Sequence, residues 1–206
     1  MRPVFSISGM IGEDGAKADD LSRFLEQNPG PVQVVVNSPG GIAADGAAMM
    51  AAIEAHGKTE VRIVGMAASA ASLAALGGAT VIMHSAALLM IHEPIAFTFG
   101  TADAHRAGAH TLDKMSDVYA QAYARVTGHP VKRVAAWMKE ETWLTAEEAL
   151  ELHFVDRIES GQDQAQVVAA FDYGRFRNAP SDLVTLARKN GWATASPVIK
   201  KEQANA

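Results

Sequence analysis

Ser69 stands where a strand-like run gives way to a helix-like run, and its neighbours are small. The run before it, residues 61–64, is apolar and β-branched, and Ala and Ser dominate the residues that follow. A turn from a strand into a helix exposes a side chain and directs backbone N–H groups outward, which suits a nucleophile. A serine also needs a base and an acid that orients the base. Small residues equally allow close helix packing, so Ser69 is a candidate nucleophile only if a histidine and a carboxylate can reach it.

The candidate base is His92, in the segment LLMIHEP at residues 88–94. It follows an apolar run just before Pro94, which would end a strand, and strand ends at one edge of an α/β sheet commonly form active sites. A single histidine is more often a structural residue, and the chain has seven histidines. His84, in VIMHSA, is the strongest rival.

The candidate acid is Glu141, in the segment EETWLTAEEA at residues 140–149. It lies just ahead of Trp143 in a stretch that leads back toward the core, where a carboxylate could orient an imidazole. Solvated surface charge is the commoner meaning of such a run. Thr145 and Glu148 have the spacing of a capping box, which predicts a helix start there and assigns Glu148 to capping.

A second turn, NSPGG at residues 37–41, could supply oxyanion donors. Glycines permit positive φ and allow a ligand to approach the backbone closely. Their N–H groups could act together with that of Ala70, and such donors contribute about 3–4 kcal/mol each in measured enzymes. A plain Pro-Gly turn between a strand and a helix is the alternative interpretation.

The elements that must position these residues alternate along the chain, which predicts an α/β fold with right-handed crossovers. Polar, patternless composition follows Ser160, so we expect one domain at 1–160 and an extension at 161–206 that is partly helical or disordered. The predicted strands are 4–8, 32–36, 61–64, 80–83, 88–91 and 154–158, and the predicted helices are 18–27, 42–56, 70–76, 104–126, 131–139 and 145–152.

Composition narrows the class of protein. The chain has 206 residues, of which 49% are hydrophobic and 20% charged, as in an ordinary globular protein. A formal net charge of −5 argues against nucleic acid as a partner. The absence of cysteine excludes a disulfide framework, a thiolate metal site and a cysteine nucleophile. No apolar run approaches the ~18 residues of a membrane span and no leader pattern is present, so we expect a cytoplasmic protein without a membrane partner.

Taken together, NSPGG, GMAAS, MIHEP and EETWLTAEEA resemble, in this order, the Clp peptidase family of serine proteases. The resemblance implies the spiral of ββα units shared with crotonases, a protruding handle region at about 95–127, a polypeptide substrate, and neither metal nor cofactor. It implies Ser69 as nucleophile, His92 as base and Glu141 as acid where the family usually has aspartate, with Glu140 as the rival. The remaining implied site residues are Gly41 and Ala70 for the oxyanion hole, and Gly40, Met66, Ala67, Ala68 and Pro94 for substrate binding.

Two departures from the housekeeping enzymes bear on assembly. Glu140 stands where those enzymes have an arginine that helps link two rings, and the chain begins almost at its first strand, without the segment that docks an unfoldase ATPase. We therefore expect self-association through the handle, with the standard double ring and ATPase partnership in doubt. The compact start, the glutamate acid and the C-terminal extension are similar to the phage and prophage branch, whose members process head proteins during maturation.

Other functions fit the same fold. An acyl-CoA hydratase or isomerase of the crotonase type also holds an oxyanion with paired N–H groups, but it needs no serine–histidine pair in this order. A catalytically silent assembly protein is a second alternative, which the glutamate at position 141 keeps open. A serine–lysine peptidase is a third, although Lys114 and Lys132 lie in no matching motif.

Overall fold

The computed structural model describes residues 2–12, 15–160 and 168–193. These residues belong to two compact units, Met1–Ala169 and Ala170–Ala206. The first unit contains the sheet and all the candidate site residues. In the second, a short 3-10 turn at Tyr173–Arg175 precedes a helix at Ser181–Lys189.

Within the described residues, seven strands form one sheet, and its main path is parallel in the order β1-β2-β3-β4-β7. A short strand, β5, pairs in parallel with the last part of β3 and antiparallel with β6. The predicted α/β class is confirmed. The strands are β1 (Val4–Ile11), β2 (Val32–Gly41), β3 (Thr59–Ala68), β4 (Thr80–His84), β5 (Leu88–Ile91), β6 (Thr142–Leu144) and β7 (Arg157–Glu159).

The helices of the first unit contribute apolar side chains to the core beside this sheet. The first helix is amphipathic, and Leu21 and Leu25 enter the core that the buried valines of β2 share. The fourth helix is the longest and ends at a left-handed glycine, Gly128. The helices of the first unit are α1 (Ala18–Gln27), α2 (Ala43–His56), α3 (Ala70–Ala75), α4 (Ala102–Thr127), α5 (Val131–Glu140) and α6 (Ala146–Glu151), and the helix of the second unit is α7 (Ser181–Lys189).

The prediction that the NSPGG segment ends the second strand was wrong. β2 continues through Gly41, and after an irregularity between Ser8 and Met10 its glycines pair with the end of β1. A Cβ on Gly41 would lie 2.0 Å from the carbonyl oxygen of Ile11, so this close approach of two backbones requires glycine. β3 is also longer than expected, because its last residues pair with β5 and extend the strand to Ala68, directly before Ser69.

Two short elements near the end of the first unit also differ from prediction. The strand expected at 154–158 is confined to Arg157–Glu159, whereas Phe154 and Val155 are buried without belonging to a strand. β6 was not predicted, because three residues between two helices carry no readable periodicity. Among the described helices, none is long and apolar enough to cross a membrane.

Candidate active site

Ser69 occupies a sharp turn between β3 and α3. Its φ of 55° and ψ of −127° are rare for a residue other than glycine, and such conformations cost about 1–3 kcal/mol. The turn is held on both sides, since Ser69 N–H donates to the carbonyl of Met90 at 2.9 Å and the Ser69 carbonyl accepts from Ser72 N–H at 3.0 Å. The surrounding structure therefore fixes the direction in which the hydroxyl points.

The imidazole of His92 lies beside that hydroxyl. His92 Nε2 is 2.7 Å from Ser69 Oγ, a distance typical of a hydrogen bond. The pairing of β3 with β5 explains the contact: Ala68 pairs with Met90 in a parallel register, so the residues just beyond both strands meet at the same edge. His84, the rival base, lies at the end of β4, where its Nδ1 accepts a hydrogen bond from Ala86 N–H at 3.1 Å.

Glu141 is a buried carboxylate, with 8% of its surface exposed, at the end of α5. Its backbone is left-handed, with φ 54° and ψ 75°, and Trp143 Nε1–H donates to its Oε1 at 3.3 Å. This turn feeds directly into β6. Glu140, by contrast, is exposed.

Glu141 and His92 lie directly beyond the last pair of the β5–β6 ladder. The last antiparallel pairs are Met90 with Trp143 and Ile91 with Thr142, so the register, if continued by one residue, would oppose His92 and Glu141. Directly opposed residues in an antiparallel pair have Cβ atoms about 4.5–5.5 Å apart. A carboxylate and an imidazole at that separation can share a hydrogen bond, and the contact of Glu141 with His92 stays a prediction.

Backbone amides lie close to the serine. A Cβ on Gly40, where φ is 96°, would meet Ser69 Cβ at 2.7 Å and Ala70 N at 3.0 Å, so the end of β2 contacts the turn at Ser69. Ala70 is the first residue of α3, and the first N–H groups of a helix have no acceptor within it. Gly41 follows Gly40 with φ 155° and pairs with β1.

The residues predicted to bind substrate lie around this edge. Met66, Ala67 and Ala68 are fully buried in β3, whereas Pro94 is half-buried two residues beyond His92. Their substrate-binding role, like the oxyanion role of Gly41 and Ala70, stays a prediction. Among the described residues, no cluster of three or more His, Asp or Glu side chains could hold a metal ion.

Sequence reasoning missed two polar residues behind the serine. Ser72 Oγ donates to the Ser69 carbonyl at 2.7 Å and contacts the hydroxyl of Tyr123, in α4, at 2.8 Å. The spacing of Ser69 and Ser72 is typical of a hydroxyl that reaches a carbonyl one helical turn earlier. Nothing in the sequence indicates that Tyr123 contacts Ser72, because the two residues are 51 positions apart in the chain.

Comparisons with known proteins identify the family of this chain. A family model described as Clp protease matches residues 20–162. The ATP-dependent Clp protease proteolytic subunit 2 of Bacillus licheniformis is 28% identical over 142 residues, which are 67% of this chain and 74% of that protein. Subunit 3 of Rhodococcus jostii is 31% identical over 134 residues, or 63% of this chain and 65% of that protein.

A solved structure extends the likeness to the fold. A mutant of ClpP1 from Listeria monocytogenes superposes with a TM-score of 0.68 and 22% sequence identity. The match covers 78% of this chain and 92% of that one. The mixed α/β architecture with its parallel sheet is therefore that of ClpP.

Proposed function

The chain belongs to the Clp protease family, and from this premise we propose that it is a serine endopeptidase acting through Ser69, His92 and Glu141. The observation that carries the proposal is the 2.7 Å contact between Ser69 Oγ and His92 Nε2. The burial of Glu141 and its place directly before β6, which pairs with the strand that ends just before His92, support the third role.

The proposed reaction is acyl transfer to serine and then to water. His92 Nε2 takes the proton of Ser69 Oγ as that oxygen attacks the scissile carbonyl, and the N–H groups of Gly41 and Ala70 stabilise the oxyanion. His92 then gives the proton to the leaving amine, and water repeats the cycle on the acyl-enzyme. For Nε2 to act as the base, Nδ1 must carry the hydrogen, and Glu141 holds that tautomer and stabilises the imidazolium.

Backbone strain supports the same assignment. Among the described residues, three that are not glycine have positive φ, namely Ser69, Glu141 and His153. Strained conformations persist only where the surrounding structure enforces them, and they concentrate at functional sites. Two of these three are the proposed nucleophile and the proposed acid.

We expect a fluorophosphonate to modify Ser69 in the native protein. The probe reacts with a serine whose proton a neighbouring base removes, and His92 is in position to do so. Intact mass should show one adduct per chain, and peptide mapping should place it on Ser69. The Ser69→Ala variant and the unfolded protein should remain unmodified.

Ser85→Ala is the matched control for that experiment, because Ser85 is an exposed serine beside the rival base His84. It should be labelled as fast as the wild type. An unmodified wild type, or an adduct on another residue, would contradict the proposed function.

The proposed substrate is a polypeptide, and we place the protein in the phage and prophage branch that processes head proteins. The glutamate at the position of the acid supports this branch, and the absence of an arginine at position 140 argues against ATPase partnership and a standard double ring. The relatives are named as ATP-dependent subunits, so hydrolysis of an unfolded protein without ATP would separate this chain from them. A strict requirement for an ATPase would contradict this placement.

Self-association is also part of the proposal. Between β5 and α4, a segment without regular secondary structure carries three exposed apolar side chains: Ile95, Phe97 and Phe99 are 81%, 95% and 91% exposed. Exposed apolar clusters of this kind usually mark interaction sites. They lie at the start of the handle region, 95–127, which is where a second copy is expected to pack.

Phe97→Ser should therefore lower the mass of the native particle, because it removes the most exposed ring from that segment. Light scattering after size-exclusion chromatography, at several protein concentrations, measures this. Leu150→Ser changes an exposed leucine on α6, outside the segment, and should leave the mass unchanged. An unchanged mass for Phe97→Ser would exclude this segment as the contact.

A further inference from the structure

A buried chain of hydroxyl groups connects the long helix α4 to the back of the serine turn. Tyr123 OH lies 2.8 Å from Ser72 Oγ, which lies 2.7 Å from the carbonyl oxygen of Ser69. Ser72 is fully buried and Tyr123 is 3% exposed, so water does not replace these contacts. The reaction proposed above gives neither residue a role.

The direction of the hydrogen bonds follows from the groups themselves. A carbonyl oxygen only accepts, so the single hydrogen of Ser72 Oγ points to Ser69 O. The Tyr123 hydroxyl must then donate to Ser72 Oγ. Burial raises the pKa of Tyr123, which keeps the phenol protonated and able to donate.

The acceptor at the end of this chain belongs to the peptide group whose N–H is a proposed oxyanion donor. The Ser69 carbonyl and the Ala70 N–H are opposite ends of one planar, trans peptide unit. Three donors hold the carbonyl end: Ser72 Oγ at 2.7 Å, Ser72 N–H at 3.0 Å and Leu73 N–H at 3.3 Å. Fixing the carbonyl fixes the direction of the N–H, and donors to the carbonyl polarise the unit so that its N–H donates more strongly.

We propose that Ser72 and Tyr123 are positioning residues that hold and polarise the Ser69–Ala70 peptide group, so that its N–H stabilises the oxyanion. The inference rests on the proposed serine-peptidase function. It predicts that the two hydroxyl groups matter most when negative charge develops on the substrate, and little when substrate first binds. A purely structural role in packing α3 against α4 would not make that distinction.

The expected effect is smaller than the loss of an oxyanion donor. Removing a whole donor lowers kcat by about 100- to 1000-fold in measured cases. Removing Tyr123 OH leaves the Ala70 N–H in place and only weakens the hydrogen bond that it donates. Polarisation along a hydrogen-bonded chain changes the strength of each hydrogen bond by about 10–30%. We therefore expect Tyr123→Phe to lower kcat by about three- to tenfold.

The experiment compares Tyr123→Phe, Ser72→Ala and the double variant with the wild type. Two properties are measured: the kinetics of peptide hydrolysis and the affinity for a peptide boronate. The boronate forms a tetrahedral adduct with serine and so mimics the oxyanion intermediate. Active-site titration with a fluorophosphonate counts only correctly folded sites. For Tyr123→Phe, kcat and boronate affinity should fall by similar factors while KM stays within about twofold. Because Tyr123 acts through Ser72, the double variant should be no slower than Ser72→Ala.

Tyr119→Phe is the matched control, since Tyr119 lies one helical turn earlier on α4 and is only partly buried. It should leave kcat, KM and boronate affinity unchanged. If Ser72→Ala fails to fold, Tyr123→Phe decides alone, because it removes a single oxygen atom.

The outcomes separate this inference from the proposed function. A wild type that neither hydrolyses peptides nor binds the boronate overturns both. An active wild type with an unchanged Tyr123→Phe, with a change confined to KM, or with independent effects in the double variant overturns the positioning role and leaves the peptidase assignment standing.

Discussion

Ser69→Ala and His92→Ala are each expected to lower kcat for peptide hydrolysis by roughly 10⁶-fold, and the double variant by no more than either alone. The reason is that the 2.7 Å contact joins them into one unit. Without the imidazole the hydroxyl keeps its proton, and without the hydroxyl the imidazole has nothing to activate. Losses of about this size, equally non-additive, are measured for the serine and histidine of a protease triad. Steady-state hydrolysis of a fluorogenic peptide by the three variants measures this.

His84→Ala provides the control for the histidine. His84 is the rival that the sequence left open, and it ends the neighbouring strand β4. Its loss should leave kcat unchanged within about twofold. If His84→Ala is inactive and His92→Ala is active, the base has been assigned to the wrong strand. If the effects of Ser69→Ala and His92→Ala multiply, the two residues do not act as a unit.

The sequence predicted the elements whose signals are local. The amphipathic helix at Ala18–Gln27 and the apolar strand at Leu88–Ile91 have the predicted bounds. The capping box at Thr145 and Glu148 is present, with both of its hydrogen bonds formed. In each case the residues that decide the structure lie within a few positions of one another, so periodicity and spacing suffice.

Features that depend on pairing between distant segments could not be predicted in the same way. The extension of β2 through Gly41 depends on contact with Ile11. The contact of Ser72 with Tyr123 joins residues on separate helices, and nothing in either local sequence reveals it. Loop closure and register are tertiary properties, which explains why the sequence could name Ser69 and His92 but not the residues that orient the serine turn.

The sequence alone also could not decide between two neighbouring residues, Glu140 and Glu141, as the candidate acid. Their side chains are chemically identical, so composition cannot separate them. The backbone does: the left-handed conformation at residue 141 ends α5 and turns this side chain into the protein, whereas residue 140 is exposed. A one-residue difference in the helix end therefore determines which of the two carboxylates is buried.

Glu141→Gln is accordingly expected to lower kcat by about 10⁴-fold, whereas Glu140→Gln should change it by less than about twofold. Glutamine keeps the shape of the side chain but offers no charge to the imidazolium. Its amide can also donate to Nδ1, which favours the tautomer with hydrogen on Nε2, and the same exchange in a protease triad costs about 10⁴ in kcat. Hydrolysis of the fluorogenic peptide across pH 5–9 measures the effect.

Glu141→Asp completes this test, because it keeps the charge and shortens the side chain by one methylene group. It should recover most of the activity that Glu141→Gln loses, since a carboxylate can still accept from Nδ1, but over a longer distance. If Glu141→Gln retains wild-type kcat while Ser69→Ala is inactive, the enzyme works as a serine–histidine dyad. The buried carboxylate would then have a structural role at the left-handed turn, where it accepts a hydrogen bond from Trp143.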